Sequence, residues 1–407
     1  PIAGFNSPEG EIHLPDDHPT IASLFKARGY RTSLIGKWHI GENPQHSPAK
    51  AGYEYYLAFQ GGASDYFAYE LWENDSKVER KGYLTDVLTA QAIEEVRTAT
   101  RAQRPFFMSL HYNAPHWPWE GPGDGSMPTP SRRFNDGGSL KKYAEMVFAM
   151  DSGIGRLMAT LKSSGHERDT IVVFTSDNGG ERFSDTRPLV GYKGELLEGG
   201  IRVPAIVRWP ARIRGGGVSD QVAISMDWLP TLLAAAGAAP DPGYPSDGDN
   251  LLDVLTGKAA SRPRKLFWRF KASEQAAVRD GDWKYLKLGG KEWLFNLAQD
   301  QHERANLAQR ESQRFESMKA AYAAWNSTML PYPQRSYSEA LKSLGRSSKF
   351  PNMSRVSPSS FGSWKSSTRG SGSSVTMWCT SNLFGPAYST NPGPWAPSIQ
   401  AVMRAKR

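Results

Sequence analysis

Between residue 19 and about residue 260 the chain alternates between two hydrophobic rhythms, and that alternation limits the folds open to it. "HPTIASLFKARGYRTSLIGKWH" reads as helix, glycine break, strand. Ile21, Leu24 and Phe25 repeat at helical spacing, Pro19 suits a first turn, Gly29 suits a stop, and Thr32 to Ile35 form a short strand. "LTDVLTAQAIEEVRTAT" predicts a second helix, with Leu84, Leu88, Ile93 and Val96 near one face and Thr85 as its cap. "RPFFMSLHY" predicts a buried strand, and "SLKKYAEMVFAMDSGIGRLMATLKSSG" a long helix ending at Gly165. The β-branched run in "TIVVFTSDNGG" predicts a central parallel strand covered on both faces. "VPAIVRWP" is a further strand and "MDWLPTLLAAAG" a further helix.

Strands alternating with helices specify an α/β domain, residues 1–260, with a mostly parallel sheet sandwiched by helices. Residues 261–340 change rhythm. "KLFWRF", "QAAVRDGDWKYLKL" and "EWLFNL" are closely spaced strands punctuated by "RDGD" and "LGGK", with a helix from about Gln309 to Trp325. A small C-terminal antiparallel sheet plus helix is expected. Residues 341–407 hold sixteen serines, many Gly and Pro, and no period, which predicts a disordered tail.

That tail also explains the charge. The net charge is +8, but nine of the 49 Lys and Arg and none of the 41 Asp and Glu lie in residues 341–407. The body is close to neutral and carries no global signal for nucleic acid. The longest apolar candidate, "WLPTLLAAAGAAP", is too short for a membrane span and holds two prolines. One cysteine, Cys379, rules out an intrachain disulfide framework. The sequence opens on Pro1, and the expectation is a chain shortened at its N-terminus, so its localisation is not legible directly.

Four stretches carry the chemistry. In "LIGKWHIGE", Lys37 and His39 are two apart at a strand end, so both reach into one space. In "LHYNAPHWPWEGP", His116 follows a strand, where sites on α/β sheets usually lie. Trp117 and Trp119 there suit sugar stacking or core packing equally. In "FTSDNGGE", Asp177 and Asn178 offer adjacent hard oxygens of the kind Ca²⁺ or Mg²⁺ takes. In "GYKGELLEGGIRVP", Lys193 sits in a Gly-rich loop with Arg202 close behind. Taken singly, each has a plainer reading: a core histidine, a snorkelling or surface lysine, an Asp-Asn-Gly-Gly turn. Together they describe a pocket of two lysines, two histidines and an oxygen-ligated cation, suited to a tetrahedral oxyanion such as a sulfate or phosphate ester.

Residues 12 to 330 resemble the type I sulfatases of the alkaline-phosphatase-like superfamily. The likeness rests on "LFKARGYRTSLIGKWHIG", "PFFMSLHYNAPHWPW", "AMDSGIGRLMATLKSSG", "IVVFTSDNGG", "YKGELLEGGIRVPAIVRWP", "MDWLPTLLAAAGA" and "EWLFNLAQDQHERANLA" in one order. The resemblance implies hydrolysis of sulfate monoesters, by family habit on carbohydrates, through a hydrated formylglycine. By motif, Lys37 would bind sulfate and stabilise the hydrated aldehyde, and His39 would act as base in the elimination. His116 would bind sulfate and, with Lys193, protonate or neutralise the leaving oxygen. Asp177 and Asn178 would ligate Ca²⁺, and Ser64 in "GGASDYF" would face the substrate. Periplasmic or secreted location is the family's habit.

Two parts of the family pattern are not in these residues: a strand ending in paired aspartates, and the motif C/S-x-P-S-R that supplies the nucleophile. Asp16 and Asp17 follow no apolar strand, and Cys379 lies in "WCTSN". The expectation is therefore a truncated sulfatase with no nucleophile, no turnover, and a sheet missing a central strand. The alternatives are a phosphatase or phosphonate hydrolase of the same superfamily, or a non-catalytic remnant that binds sulfated glycans.

Overall fold

The computed structural model describes residues 14–15, 17–41, 43–125, 137–270 and 274–332. The tail expected at 341–407, with Cys379, lies outside them, as does Asp16.

The centre is β1 (Arg31–Trp38), flanked in parallel by β2 (Tyr55–Gln60) and β5 (Phe106–His111). Strand β2 continues outward through an antiparallel pair, β3 (Leu71–Glu73) and β4 (Ser76–Val78), giving the order β4-β3-β2-β1-β5. Alternate residues of β1 and β2 enter different cores, as the two-residue period of a strand requires. Ile35, Leu57 and Phe59 pack with α2 (Leu84–Arg101) and α3 (Leu140–Ser163) on one face. Leu34, Trp38, Tyr56 and Ala58 pack with Ala22 of α1 (Ile21–Lys26) on the other. Burial on both faces is why β2 reads as a nearly unbroken apolar run and why Leu34 and Ile35 of β1 are adjacent and both apolar. Thr20 and Ser23 close α1 with a reciprocal capping box. Thr85 does not cap α2: the N-cap is Tyr83, and Thr85 is buried inside the first turn, its carbonyl accepting from the Thr89 hydroxyl at 2.8 Å.

The run expected as a central parallel strand departs from that reading. Strand β6 (Val172–Thr175) pairs antiparallel with β7 (Ala205–Arg208) in a separate two-stranded sheet, and all its residues are only half-buried. Strands β5 and β6 nevertheless rest on one helix layer. Phe106, Met108 and Val172 pack on Val96, Met158 and Leu161, while Leu110 and Phe174 pack on the main core. Among the described residues neither the outer edge of β5 nor the free edge of β6 has a strand partner. Apolar sequence without that neighbour gives half-burial in both strands.

The C-terminal sheet matches the sequence closely. Strands β8 (Lys265–Phe270), β9 (Gln275–Asp280), β10 (Trp283–Leu288) and β11 (Lys291–Asn296) are antiparallel neighbours in the order β11-β10-β9-β8. The helix α4 (Glu198–Ile201) precedes β7, and α5 (Trp228–Ala235) and α6 (Leu252–Leu255) fill the connection to β8. One face of the sheet packs on Met318 of α7 (Ser312–Ser327). The opposite face, with Ala277, Leu286 and Phe295, packs on Leu196, Leu197 and Ile201, the stretch that follows Lys193.

A buried ionic cluster fastens this second contact. Lys284 Nζ donates to Glu198 Oε1 at 2.9 Å and lies 2.8 Å from Glu303 Oε1, with all three side chains no more than 2% exposed. Glu303 Oε2 accepts from the Glu198 amide at 2.7 Å, and burial raises the Glu303 carboxyl above the usual range. Lys284 is the cation that touches both desolvated acids, with Arg279 and Arg202 further out, 3.8 and 3.9 Å from Glu198 Oε2. Lys284→Met would leave Glu303 without its cation and Glu198 with only the two longer arginine contacts, a change expected to cost about 3–5 kcal/mol. A urea midpoint indistinguishable from wild type would contradict that.

Candidate active site

The loops leaving β1, β2, β5 and β6 carry the candidate residues, as expected at the carboxyl ends of strands in an α/β sheet. Lys37 is the penultimate residue of β1, and His39 follows the strand. Just before them Gly36 has φ +109°, and a Cβ there would lie 1.9 Å from the His111 carbonyl oxygen of β5. Only glycine lets β1 and β5 approach so closely at the point where the lysine turns into the site. The loop after β2 abuts His39, with the Cβ position of Gly62 2.8 Å from His39 Cε1.

His116 is 5% exposed. Its amide donates to the Asn113 carbonyl at 2.8 Å, and the Tyr66 hydroxyl donates to the His116 carbonyl at 3.0 Å. The ring is fixed at both nitrogens. Nδ1 lies 2.8 Å from the Trp117 carbonyl and Nε2 lies 3.1 Å from Lys193 Nζ. A carbonyl only accepts and an ammonium only donates, so the neutral ring carries its proton on Nδ1. Trp117 packs against this ring, with centroids 4.4 Å apart, and joins the edge of the main core.

These side chains also act on one another electrostatically. His116 is lowered to about 3, first by burial and then by the Lys193 charge, with Lys37 and His39 adding to it; the bond to the Trp117 carbonyl opposes the shift. His39 is lowered to about 4 by burial, then by Lys37 and Lys193. Lys37 is itself held below the ordinary lysine range by burial and by Lys193, with Asp177 opposing. Lys37, His39, His116 and Lys193 thus act on one another although up to 156 positions apart in sequence, and Asp177 joins them through Lys37. Lys193 also lies 3.6 Å from Glu181 Oε2.

Ser64 is buried beside this cluster, but its hydroxyl donates to the Asp65 carbonyl at 3.1 Å, and its own carbonyl accepts from Asn113 Nδ2 at 2.7 Å. In this arrangement Ser64 orders the loops. Sequence reasoning passed over Asn113, Tyr66, Glu120 and Glu181. Glu120 Oε2 accepts from the Tyr66 amide at 3.0 Å, so Tyr66 and Glu120 together hold the His116 loop. Asn113 and Glu120 stand inside the quoted loop, and polar residues in a Pro-rich strand exit were the available signal.

The donor set for a cation is thin. Asp177 is exposed, and its Oδ1 accepts from the Asn178 side-chain amide. Ca²⁺ takes six to eight oxygens, whereas no group of three or more His, Cys, Asp or Glu placed to share an ion occurs among the described residues. Asp177 and Asn178 alone do not fit a tight Ca²⁺ site, and the Lys37 charge answers Asp177 instead.

The sheet, its helix layers and this cluster define an α/β protein with a cationic cleft at the carboxyl ends of its parallel strands. A family model described as Sulfatase matches residues 3–238, and one described as N-sulphoglucosamine sulphohydrolase, C-terminal, matches residues 192–322. The chain belongs to the sulfatase family. It is 29% identical over 294 residues to the Escherichia coli (strain K12) protein named Uncharacterized sulfatase YdeN, covering 65% of this chain and 52% of that protein. It is 30% identical over 296 residues to mouse N-acetylgalactosamine-6-sulfatase, covering 67% of this chain and 55% of that protein. The chain thus spans about half the length of these curated relatives. The crystal structure of Ps i-CgsB superposes with a TM-score of 0.73 at 29% identity, covering 87% of this chain and 83% of that one. Ps i-CgsB in complex with k-i-k-neocarrahexaose gives 0.73 at 28%, with the same coverage.

Two outcomes follow from the site. Histidines with lowered folded-state values take up protons mainly on unfolding. Their stabilising contribution is complete above about 6.5 and declines as pH falls toward about 4 for His39 and about 3 for His116. Between pH 7 and pH 5 buried His116 is expected to cost about 1–2 kcal/mol of stability. Urea titrations at the two values should show His116→Gln losing less than wild type; equal losses would contradict the assignment. Millimolar Ca²⁺ added to the 407-residue chain is expected to leave its Tm unchanged, and a rise of several degrees would show a complete ligand set.

Proposed function

We propose that this chain carries the oxyanion-binding and leaving-group side of an active site for sulfate monoester hydrolysis, with sulfated carbohydrate as the substrate class. The observation that supports this most is the contact of half-buried Lys193 with buried His116, 3.1 Å apart, with Lys37 and His39 coupled to it. Among the described residues the acids acting on these two ammonium groups are exposed Asp177, which opposes the shift of Lys37, and Glu181, whose Oε2 lies 3.6 Å from Lys193 Nζ, and a site with both lysines accommodates further negative charge. A sulfuryl group between them would supply it, and the two lysines would neutralise the oxygens that gain charge as the ester bond breaks. His116 is neutral at physiological pH, and its Nε2 lone pair orients the Lys193 ammonium. The proton for the departing alkoxide oxygen then comes from Lys193 Nζ, with His116 holding that donor in line. His39, also neutral, is suited to accept a proton. The carbohydrate class is supported by the relative that acts on N-acetylgalactosamine 6-sulfate by name, and by the neocarrahexaose complex.

The covalent step belongs to a nucleophile, and the 407 residues contain no C/S-x-P-S-R motif. Asp177 and Asn178 would contribute to a Ca²⁺ site only alongside further oxygen donors. These two facts favour a second reading, in which the polypeptide binds sulfated glycans without turning them over. Among the described residues no helix is long and apolar enough to cross a membrane, and we take export to the periplasm or exterior as the expected location.

Calorimetry with a sulfated galactose oligosaccharide tests the site directly. Lys193→Ala and Lys37→Ala should each weaken binding by about 10-fold or more, since a charge-assisted contact is worth about 1.5–3 kcal/mol. Binding that ignores both substitutions overturns the proposal, and preference for the phosphorylated analogue favours the phosphatase reading. The same preparation should not release 4-nitrophenol from 4-nitrophenyl sulfate; sustained release would overturn the binding-only reading.

A further inference from the structure

The loop that presents Lys193 is held from two sides. From the α/β side, the Lys193 amide donates to the Gly180 carbonyl at 2.7 Å, tying it to the loop after β6. From the C-terminal sheet come the apolar contacts of Leu196 with Ala277, Leu286 and Phe295, and one hydrogen-bonding side chain. Gln275, the first residue of β9, is 3% exposed and spans the loop immediately past Lys193. Its Nε2 donates to the Gly194 carbonyl at 2.8 Å, and its Oε1 accepts from the Leu196 amide at 2.8 Å. Both ends of one amide are therefore spent on residues one and three positions beyond the lysine. Within the loop the Glu195 amide closes a turn across Lys193 on the Tyr192 carbonyl at 3.0 Å, while the Gly194 carbonyl and the Leu196 amide are met by Gln275. The buried Lys284 cluster grips only the next turn, at Glu198.

We propose that Gln275 is a positioning residue for Lys193: by holding Gly194 and Leu196 together, it keeps the ammonium within hydrogen-bonding distance of His116. The proposal rests on reading Lys193 and His116 as a working pair. It gives the C-terminal sheet a share in the site, although none of its side chains enters the cleft cluster. A glutamine suits the task because one planar group donates and accepts at fixed separation, without adding a charge that would compete for the ammonium. A side chain that cannot accept leaves the Leu196 amide unbonded in a buried place, and the loop relaxes toward solvent.

The readout is His116 itself, followed by NMR of the 407-residue chain with ¹⁵N-labelled histidine, assigned by loss of one signal in His116→Gln. The charges acting on that ring are Lys193, Lys37 and His39. In wild type the ring should stay neutral across the accessible acid range. Lys193→Ala should raise its titration midpoint toward the ordinary 6.5, and Gln275→Met should move it part of the way in the same direction. Met318→Ala, on the opposite face of the same sheet, should lower Tm and leave His116 where it is. The proposal is overturned if Gln275→Met leaves His116 unmoved while Lys193→Ala shifts it, or if Met318→Ala shifts it equally. Should Gln275→Met fail to fold, Gln275→Asn keeps the polarity but falls one methylene short of both partners, and the same outcomes decide. In the wild-type chain, a Leu196 amide that exchanges as fast as a free loop also overturns it. No sulfated ligand enters the measurement, so failure of the sulfate reading and failure of this one are separable.

Discussion

A cation held against a neutral imidazole inside a poorly solvated cleft is the constraint around which this molecule is arranged. The Lys193–His116 contact joins loops 77 positions apart in the chain, and burial beside that ammonium makes a charged His116 unfavourable. Burial and like charge both depress His116, and the bond to the Trp117 carbonyl pulls the other way. The result is a ring locked in one tautomer with its free lone pair aimed at an ammonium. Everything behind it serves stiffness. Tyr66 and Glu120 brace the His116 loop, Gly180 and Gln275 brace the Lys193 loop, and Gly36 admits the close strand approach that delivers Lys37.

Such rigidity comes mostly from parts with no chemistry of their own. The main core, from Ile35 and Phe59 to Met146 and Met150, fixes the strands whose ends bear His39 and His116. The small sheet fixes the lysine loop, through Leu196 packed on Phe295 and through the Glu198–Lys284–Glu303 cluster. The ionic cluster is a costly way to join two surfaces, because three charges leave water. It gives direction where an apolar contact would only give adhesion.

Much of this was legible in the sequence. The helix of Ile21 to Lys26, the long helix ending near Gly165 and the C-terminal hairpins with their glycine turns all follow from local period and turn chemistry, which need no knowledge of neighbours. Lys37, His39, His116 and Lys193 were legible as a set because each follows or adjoins a strand. What escaped depends on partners remote in sequence. Strand β2, "YYLAFQ", was missed because no helix separates it from β1 and its apolar run has no period to distinguish it. Strand β6 reads as a central strand on composition alone, but its pairing is set by which edges are available. Gln275 stands in no motif; only its two bonds to the lysine loop make it visible.

The strand that ends at His111 and the strand that ends before Asp177 share one footing, because Val96, Met158 and Leu161 lie beneath both β5 and β6. A methylene gained or lost in that footing would shift the seats of both strands at once, and with them the loops that carry His116 and Lys193, with every polar residue of the site left unchanged.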